Sequence, residues 1–147
     1  MAADQGNIEA MNSLGLCYSK GIGAPKDNQK AFDVYLKAAG NGNPEALFWV
    51  GTCYQNGTGV PRDERKAVEY YFKAAESGNA DAQNALGFCY NKGIGVPRDD
   101  KKSFEYYQKA AENGCSPAMY NVSICYKKGI GIQRDERKVL EYYQKMK

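Results

Sequence analysis

Histidine is absent from all 147 residues. The chain therefore lacks the commonest metal ligand and the side chain that most often serves as general base or as partner to a nucleophilic thiol. Metal chemistry would have to rest on the five cysteines. Four of them stand 36 residues apart, far from the close spacing of a zinc site. No apolar run approaches the roughly 20 residues of a membrane span. The opening residues, Met1-Ala2-Ala3-Asp4-Gln5-Gly6, lack the basic-then-apolar pattern of a signal peptide. The net charge of +3 is too small to imply a nucleic-acid or membrane partner by itself. The sequence calls for no cofactor and no enzyme chemistry.

What the chain does have is a period. Gly15-x-Cys17-Tyr18 returns as Gly51-x-Cys53-Tyr54 and Gly87-x-Cys89-Tyr90, and Ser123 precedes Cys125-Tyr126 in a fourth copy. Gly21-x-Gly23, Gly57-x-Gly59, Gly93-x-Gly95 and Gly129-x-Gly131 follow in the same register. A fixed period of 36 residues means stacked supersecondary units rather than one globular core. The units read as about 7–42, 43–78, 79–114 and 115–147, with 1–6 as the tail of a preceding unit, all in one repeat domain over 1–147.

Each unit reads as two helices joined by a glycine turn. In the second unit the spacing predicts a first helix over about 44–56. Asn43 caps it and Pro44 takes the first helical position. Ala46, Val50, Cys53 and Tyr54 form its buried stripe. The glycine at 51 predicts close approach of a partner helix. Gly57 ends the helix in the left-handed region. Asp63, like Asp27, Asp99 and Asp135, caps a second helix over about 64–77, whose stripe is Ala67, Val68, Tyr71, Ala74 and Ala75. Equivalent cysteines in stacked helices stand about 8–10 Å or more apart, beyond the reach of a disulfide. They read as small buried apolar side chains in a reducing, cytoplasmic setting. Cys115 stands where the other units have Asn7, Asn43 and Asn79.

The run Leu86-Gly87-Phe88-Cys89-Tyr90-Asn91-Lys92-Gly93-Ile94-Gly95-Val96-Pro97-Arg98-Asp99, with Glu105-Tyr106-Tyr107-Gln108-Lys109-Ala110-Ala111 behind it, resembles the Sel-one-like repeat family. That family is a branch of the tetratricopeptide-like solenoids. The resemblance implies an all-α fold, a right-handed alpha-alpha superhelix of four helix-turn-helix repeats. Family members act as adaptors or as modules attached to larger enzymes, and some secreted relatives brace each unit with a disulfide. This chain has one regular cysteine per unit where those relatives have two.

By the same resemblance the first helices line a concave groove. Its positions are Glu9, Asn12, Leu16 and Ser19 in the first unit, and Glu45, Phe48, Thr52 and Gln55 in the second. They are Asp81, Asn84, Phe88 and Asn91 in the third, and Pro117, Tyr120, Ile124 and Lys127 in the fourth. Phe48, Phe88 and Tyr120 would anchor apolar side chains of a partner, and Asn12, Gln55, Asn84 and Asn91 would bond an extended backbone. Glu9, Glu45 and Asp81 gather at one rim, and Lys20, Lys92, Lys127 and Lys128 at the other. Trp49 is the sole tryptophan, opposite Ser13, Ala85 and Asn121 in the other units.

Other signals weigh less. The Gly-x-Gly pairs follow helices and lack the Lys-Ser/Thr of a phosphate loop. Alternating charges at 62–66, 98–102 and 134–138 read as solvated helix starts. One Tyr of each pair (70–71, 106–107, 142–143) lies on the core stripe, which leaves few stacking platforms for RNA. Asn56-Gly57-Thr58 and Asn121-Val122-Ser123 match a glycosylation pattern, the second in mid-helix.

The expected function is a non-enzymatic scaffold or adaptor holding a peptide or protein surface in the first-helix groove. The alternatives are a regulatory or targeting module of a larger enzyme, such as a kinase, and a secreted or lumenal adaptor. Neither end carries a polar capping repeat, so end-to-end self-association through the terminal repeats is a further expectation.

Overall fold

The computed structural model describes Gly15, Leu16, Lys20 and residues 27–146. Cys17, Tyr18, Gly21 and Gly23, expected to build the first unit, lie outside the described residues. Among those described, seven helices follow one another: α1 Asn28–Ala39, α2 Pro44–Asn56, α3 Glu64–Glu76, α4 Ala80–Lys92, α5 Asp100–Glu112, α6 Ser116–Lys128 and α7 Glu136–Lys145. None of them is long and apolar enough to cross a membrane. The contacts divide the chain into two compact units, one ending at Ala74 and one beginning at Ala75.

The helix boundaries follow from capping chemistry. Asn43 and Asn79 accept the amides of Ala46 and Ala82 at 2.9 and 2.8 Å. Asp27, Asp63, Asp99 and Asp135 accept amides at the starts of α1, α3, α5 and α7. Each cap satisfies an amide that has no partner within its own helix. α2, α4 and α6 all end on a glycine with φ near +72°, at Gly57, Gly93 and Gly129. α3 stops at Glu76, one residue before the expected Ser77.

In the first unit, glycine sets how closely the helices approach. A Cβ on Gly51 would stand 2.8 Å from the Tyr71 ring, and one on Gly15 would stand 2.5 Å from the Tyr35 ring. The expected close approach is thus a tyrosine ring of the second helix packed against the glycine of the first. Gly59, the second glycine of its Gly-x-Gly, sits directly on the Asn28 carbonyl at the start of α1. Of the pair, Gly57 is a cap and Gly59 a contact between successive repeats. Phe32 meets Tyr54 edge-on at 5.5 Å, and Tyr35 stacks on Trp49 at 5.7 Å. Ala31, Ala38, Ala46, Val50, Ala67 and Ala74 are fully buried between these rings.

The second unit repeats the plan with local changes. Phe104, Tyr107, Ala110, Ala118, Val122 and Cys125 form the centre of its core. Gly87 carries the Tyr107 ring, and the buried Ser103 hydroxyl donates to the Gly87 carbonyl at 2.7 Å. Phe104 meets Tyr126 edge-on at 5.4 Å. Gln83, itself buried, accepts from Asn113 Nδ2 at 2.8 Å. Cys115 begins α6 without a side-chain capping bond, and its thiol donates to Asp81 Oδ1 at 3.9 Å. On α7, Val139 and Tyr142 are buried while Leu140 and Tyr143 face solvent.

Two expectations need correction. Tyr54 and Tyr126 are only half-buried, because each stacks along a second-helix tyrosine, Tyr70 at 5.8 Å and Tyr142 at 6.1 Å, beside the core. Lys66 and Lys73 lie over the first ring pair, and Lys102 and Lys109 over the equivalent Tyr90–Tyr106 pair. Tyr70 and Tyr106, the first rings of their pairs, are therefore internal cation–π partners. In α7 the roles invert: Tyr142 is the buried ring and Tyr143 the exposed one.

Candidate functional site

The groove positions expected from sequence have different fates in the two units. Glu9, Asn12 and Ser19 lie outside the described residues, and Leu16 is half-buried. In α2, Glu45 is exposed. Phe48 is half-buried, with ring contacts to Trp49 at 5.2 Å and Tyr71 at 5.8 Å. Thr52 Oγ1 donates to the Phe48 carbonyl and lies 3.3 Å from the Tyr71 hydroxyl. That hydroxyl donates to Gln55 Oε1 at 2.6 Å. Three of the four α2 positions are thus joined to Tyr71 on α3 and hold the two helices together.

The second unit opens instead. One repeat after Thr52 stands Phe88, whose ring cannot take up a hydroxyl from the tyrosine below. Phe88 is 42% exposed and Tyr120 51% exposed, the largest exposure of any described ring. Between them is an open cleft of about 620 Å³ along α4 and α6. It gathers four expected positions: Phe88, Asn91, Tyr120 and Ile124. Asn84 is adjacent but occupied, accepting from Asn121 Nδ2 at 2.9 Å, a bond that also shows α4 and α6 side by side. Asp81, Pro117 and Lys127 are exposed outside the cleft.

The cleft has an uncharged floor and a cationic edge. Tyr107 and Cys125 lie at its base, 5% and 2% exposed. Burial pushes the Cys125 thiol up to about 11, with the Asp100 carboxylate adding to the rise. Burial also raises the Tyr107 phenol well above its usual range, with Cys125 reinforcing the shift and the Ser103 hydrogen bond opposing it. Both groups stay neutral near pH 7. The ionisable side chains on the edge are Lys92, Arg98 and Lys128. Arg98 reaches Asp100 at 3.2 Å, while Lys92 and Lys128 form no ion pair among the described residues. Sequence reasoning set Lys92 and Lys128 at one rim of the groove and read Arg98 as part of a solvated helix start. The available signal was that Lys92 and Lys128 stand 36 residues apart at the ends of equivalent helices.

Residues 8–43, 44–79, 80–115 and 116–146 each match the family model described as Sel1 repeat, one residue later in phase than the glycine pattern suggests. A Sel1 repeat protein from Oxalobacter formigenes is 35% identical with a TM-score of 0.84, over 98% of this chain and 57% of that one. A protective antigen of uropathogenic Escherichia coli displaying an SLR fold is 36% identical with a TM-score of 0.87, over 99% of this chain and 31% of that one. The chain thus spans about half and a third of these two relatives. Cysteine-rich protein B of Helicobacter pylori is 28% identical with a TM-score of 0.64, over 80% of this chain and 90% of that one. No curated protein matches.

Proposed function

The chain belongs to the Sel1 repeat family, an all-α solenoid class of protein-interaction scaffolds, and on that footing we propose that it is a non-enzymatic adaptor whose α4–α6 face holds a peptide or protein segment. The observation carrying this reading is the exposure of Phe88 and Tyr120 across one cleft. Large rings left in water at adjacent positions are suited to anchoring a partner's apolar side chains. The helices beneath them are held by Gly87, Tyr107 and Ser103, so binding orders little of the chain. Phe48 supports the fold rather than the partner, since its ring is engaged by Trp49 and Tyr71. A cytoplasmic setting accords with the buried thiols of Cys53, Cys115 and Cys125 standing outside any disulfide.

The test is a displayed random-peptide library selected on the wild-type chain and re-measured on Phe88→Ala/Tyr120→Ala. Both side chains are exposed, so far-ultraviolet circular dichroism should be unchanged. Affinity for the selected peptides should fall at least tenfold. Equal affinity for both proteins would remove the cleft from the binding surface.

A further inference from the structure

The geometry points to an acidic partner: the α4–α6 cleft selects an extended segment with two carboxylates three residues apart and an apolar side chain between them. This deepens the scaffold reading above and rests on it. Three observations converge. Every charged side chain lining the cleft is cationic, namely Lys92, Arg98 and Lys128. Lys92 and Lys128 form no ion pair among the described residues, so their charge is available at the edge. The floor beneath is buried and neutral, formed by Tyr107 and Cys125, which burial keeps protonated.

Spacing adds to charge. Lys92 and Lys128 hold the same place on α4 and α6, at the last residue of each helix. Helices in contact lie roughly 8–10 Å apart. An extended polyproline-II segment advances about 3.1 Å per residue and returns to the same face every third residue, so carboxylates three positions apart span about the same length on one side. Phe88 and Ile124 stand one helical turn before the two lysines and would receive the apolar side chain between the acids. Lysines at helix ends also favour the helix dipole. That role alone would not predict discrimination between acidic and neutral ligands.

The experiment measures fluorescence anisotropy of fluorescein-labelled octapeptides against the full chain. One set carries Glu-Leu-Phe-Glu at its centre, a second Gln-Leu-Phe-Gln, and a third Glu-Glu-Leu-Phe. The first set should bind at least tenfold more tightly than the second and more tightly than the third. Raising salt from 50 to 300 mM should narrow that gap, as ion pairing at an exposed edge requires. Lys92→Gln/Lys128→Gln, neutral and on exposed positions, should erase the preference while retaining the Phe88/Tyr120-dependent affinity. If the acidic and neutral peptides bind alike and both need Phe88 and Tyr120, the acidic selectivity is wrong and the scaffold reading survives. If no peptide binds, or an oligonucleotide binds more tightly than any peptide, both fall.

Discussion

The Tyr107 ring lies 2.5 Å from the point where a Cβ on Gly87 would sit. No side chain occupies that space without moving a ring that is almost fully buried. The same pairing holds Gly51 to Tyr71 and Gly15 to Tyr35. In the fourth repeat Ser123 replaces the glycine, and the tyrosine one period on, Tyr143, is 38% exposed.

Gly87→Ala should therefore destabilise the fold, although alanine is the better helix former by about 1 kcal/mol. Overpacking costs typically 1–3 kcal/mol, and here the obstacle is a carbon of a ring that is almost fully buried. Denaturant titration should show a lower midpoint with an unchanged slope. Adding Tyr107→Leu should recover part of the loss, so the double variant should be less than additive. A more stable Gly87→Ala chain would contradict the packing described.

Gly131 and Gly114 both have positive φ, +71° and +88°, but only Gly131 is crowded. Its Cβ would fall on the Asp100 carbonyl, whereas nothing lies within 4 Å at Gly114. Gly114→Ala should cost only the left-handed backbone strain, about 1 kcal/mol. Gly131→Ala adds a backbone clash and should cost about 3 kcal/mol or more. Thermal melts of the two variants should rank in that order.

Cys115 occupies the capping position of α6 with no capping bond, where Asn43 and Asn79 each accept an amide. Cys115→Asn should raise stability, by about 1 kcal/mol if the amide of Ala118 finds the new acceptor. A loss would mean that burial of the thiol outweighs the missing cap.

Burial raises the thiols of Cys53 and Cys125 from 9.0 to about 11. As pH rises, the unfolded chain releases these protons first, so it binds fewer protons than the folded chain between the two values. The thiols' contribution is intact below about pH 9 and is lost as pH climbs through 11. The Tyr107 phenol, also raised, acts in the same direction. Denaturation midpoints should fall over that interval. A Cys53→Ala/Cys125→Ala chain should fall less steeply. Neither thiol should react with an alkylating reagent at pH 8 in the folded protein.

Elements governed by local backbone demands were legible from residue types. Gly57 and Gly93 end helices because a left-handed residue is required there, and Asp63 and Asp99 start them because an amide needs an acceptor. The period then carried these features through the chain. The groove was harder, because its positions depend on what the neighbouring helix offers. Thr52 and Phe88 are equivalent in register, yet Thr52 approaches the Tyr71 hydroxyl and Phe88 stands half in water. Phe48, expected as an anchor, has its ring against Trp49 and Tyr71. Lys92 and Lys128 belong to the expected cationic rim, and the shape of the cleft joins them, without Lys127, to Phe88 and Tyr120.

Trp49 stacks on Tyr35 at 5.7 Å, inside the unit that ends at Ala74. The chain has no other indole. Light absorbed at the red edge, beyond the phenols, is therefore emitted from that unit alone. The chain carries its own spectroscopic label on one half. Comparing its emission with the ellipticity of the whole molecule during heating separates a single cooperative melt from two successive ones, with no dye or substitution introduced.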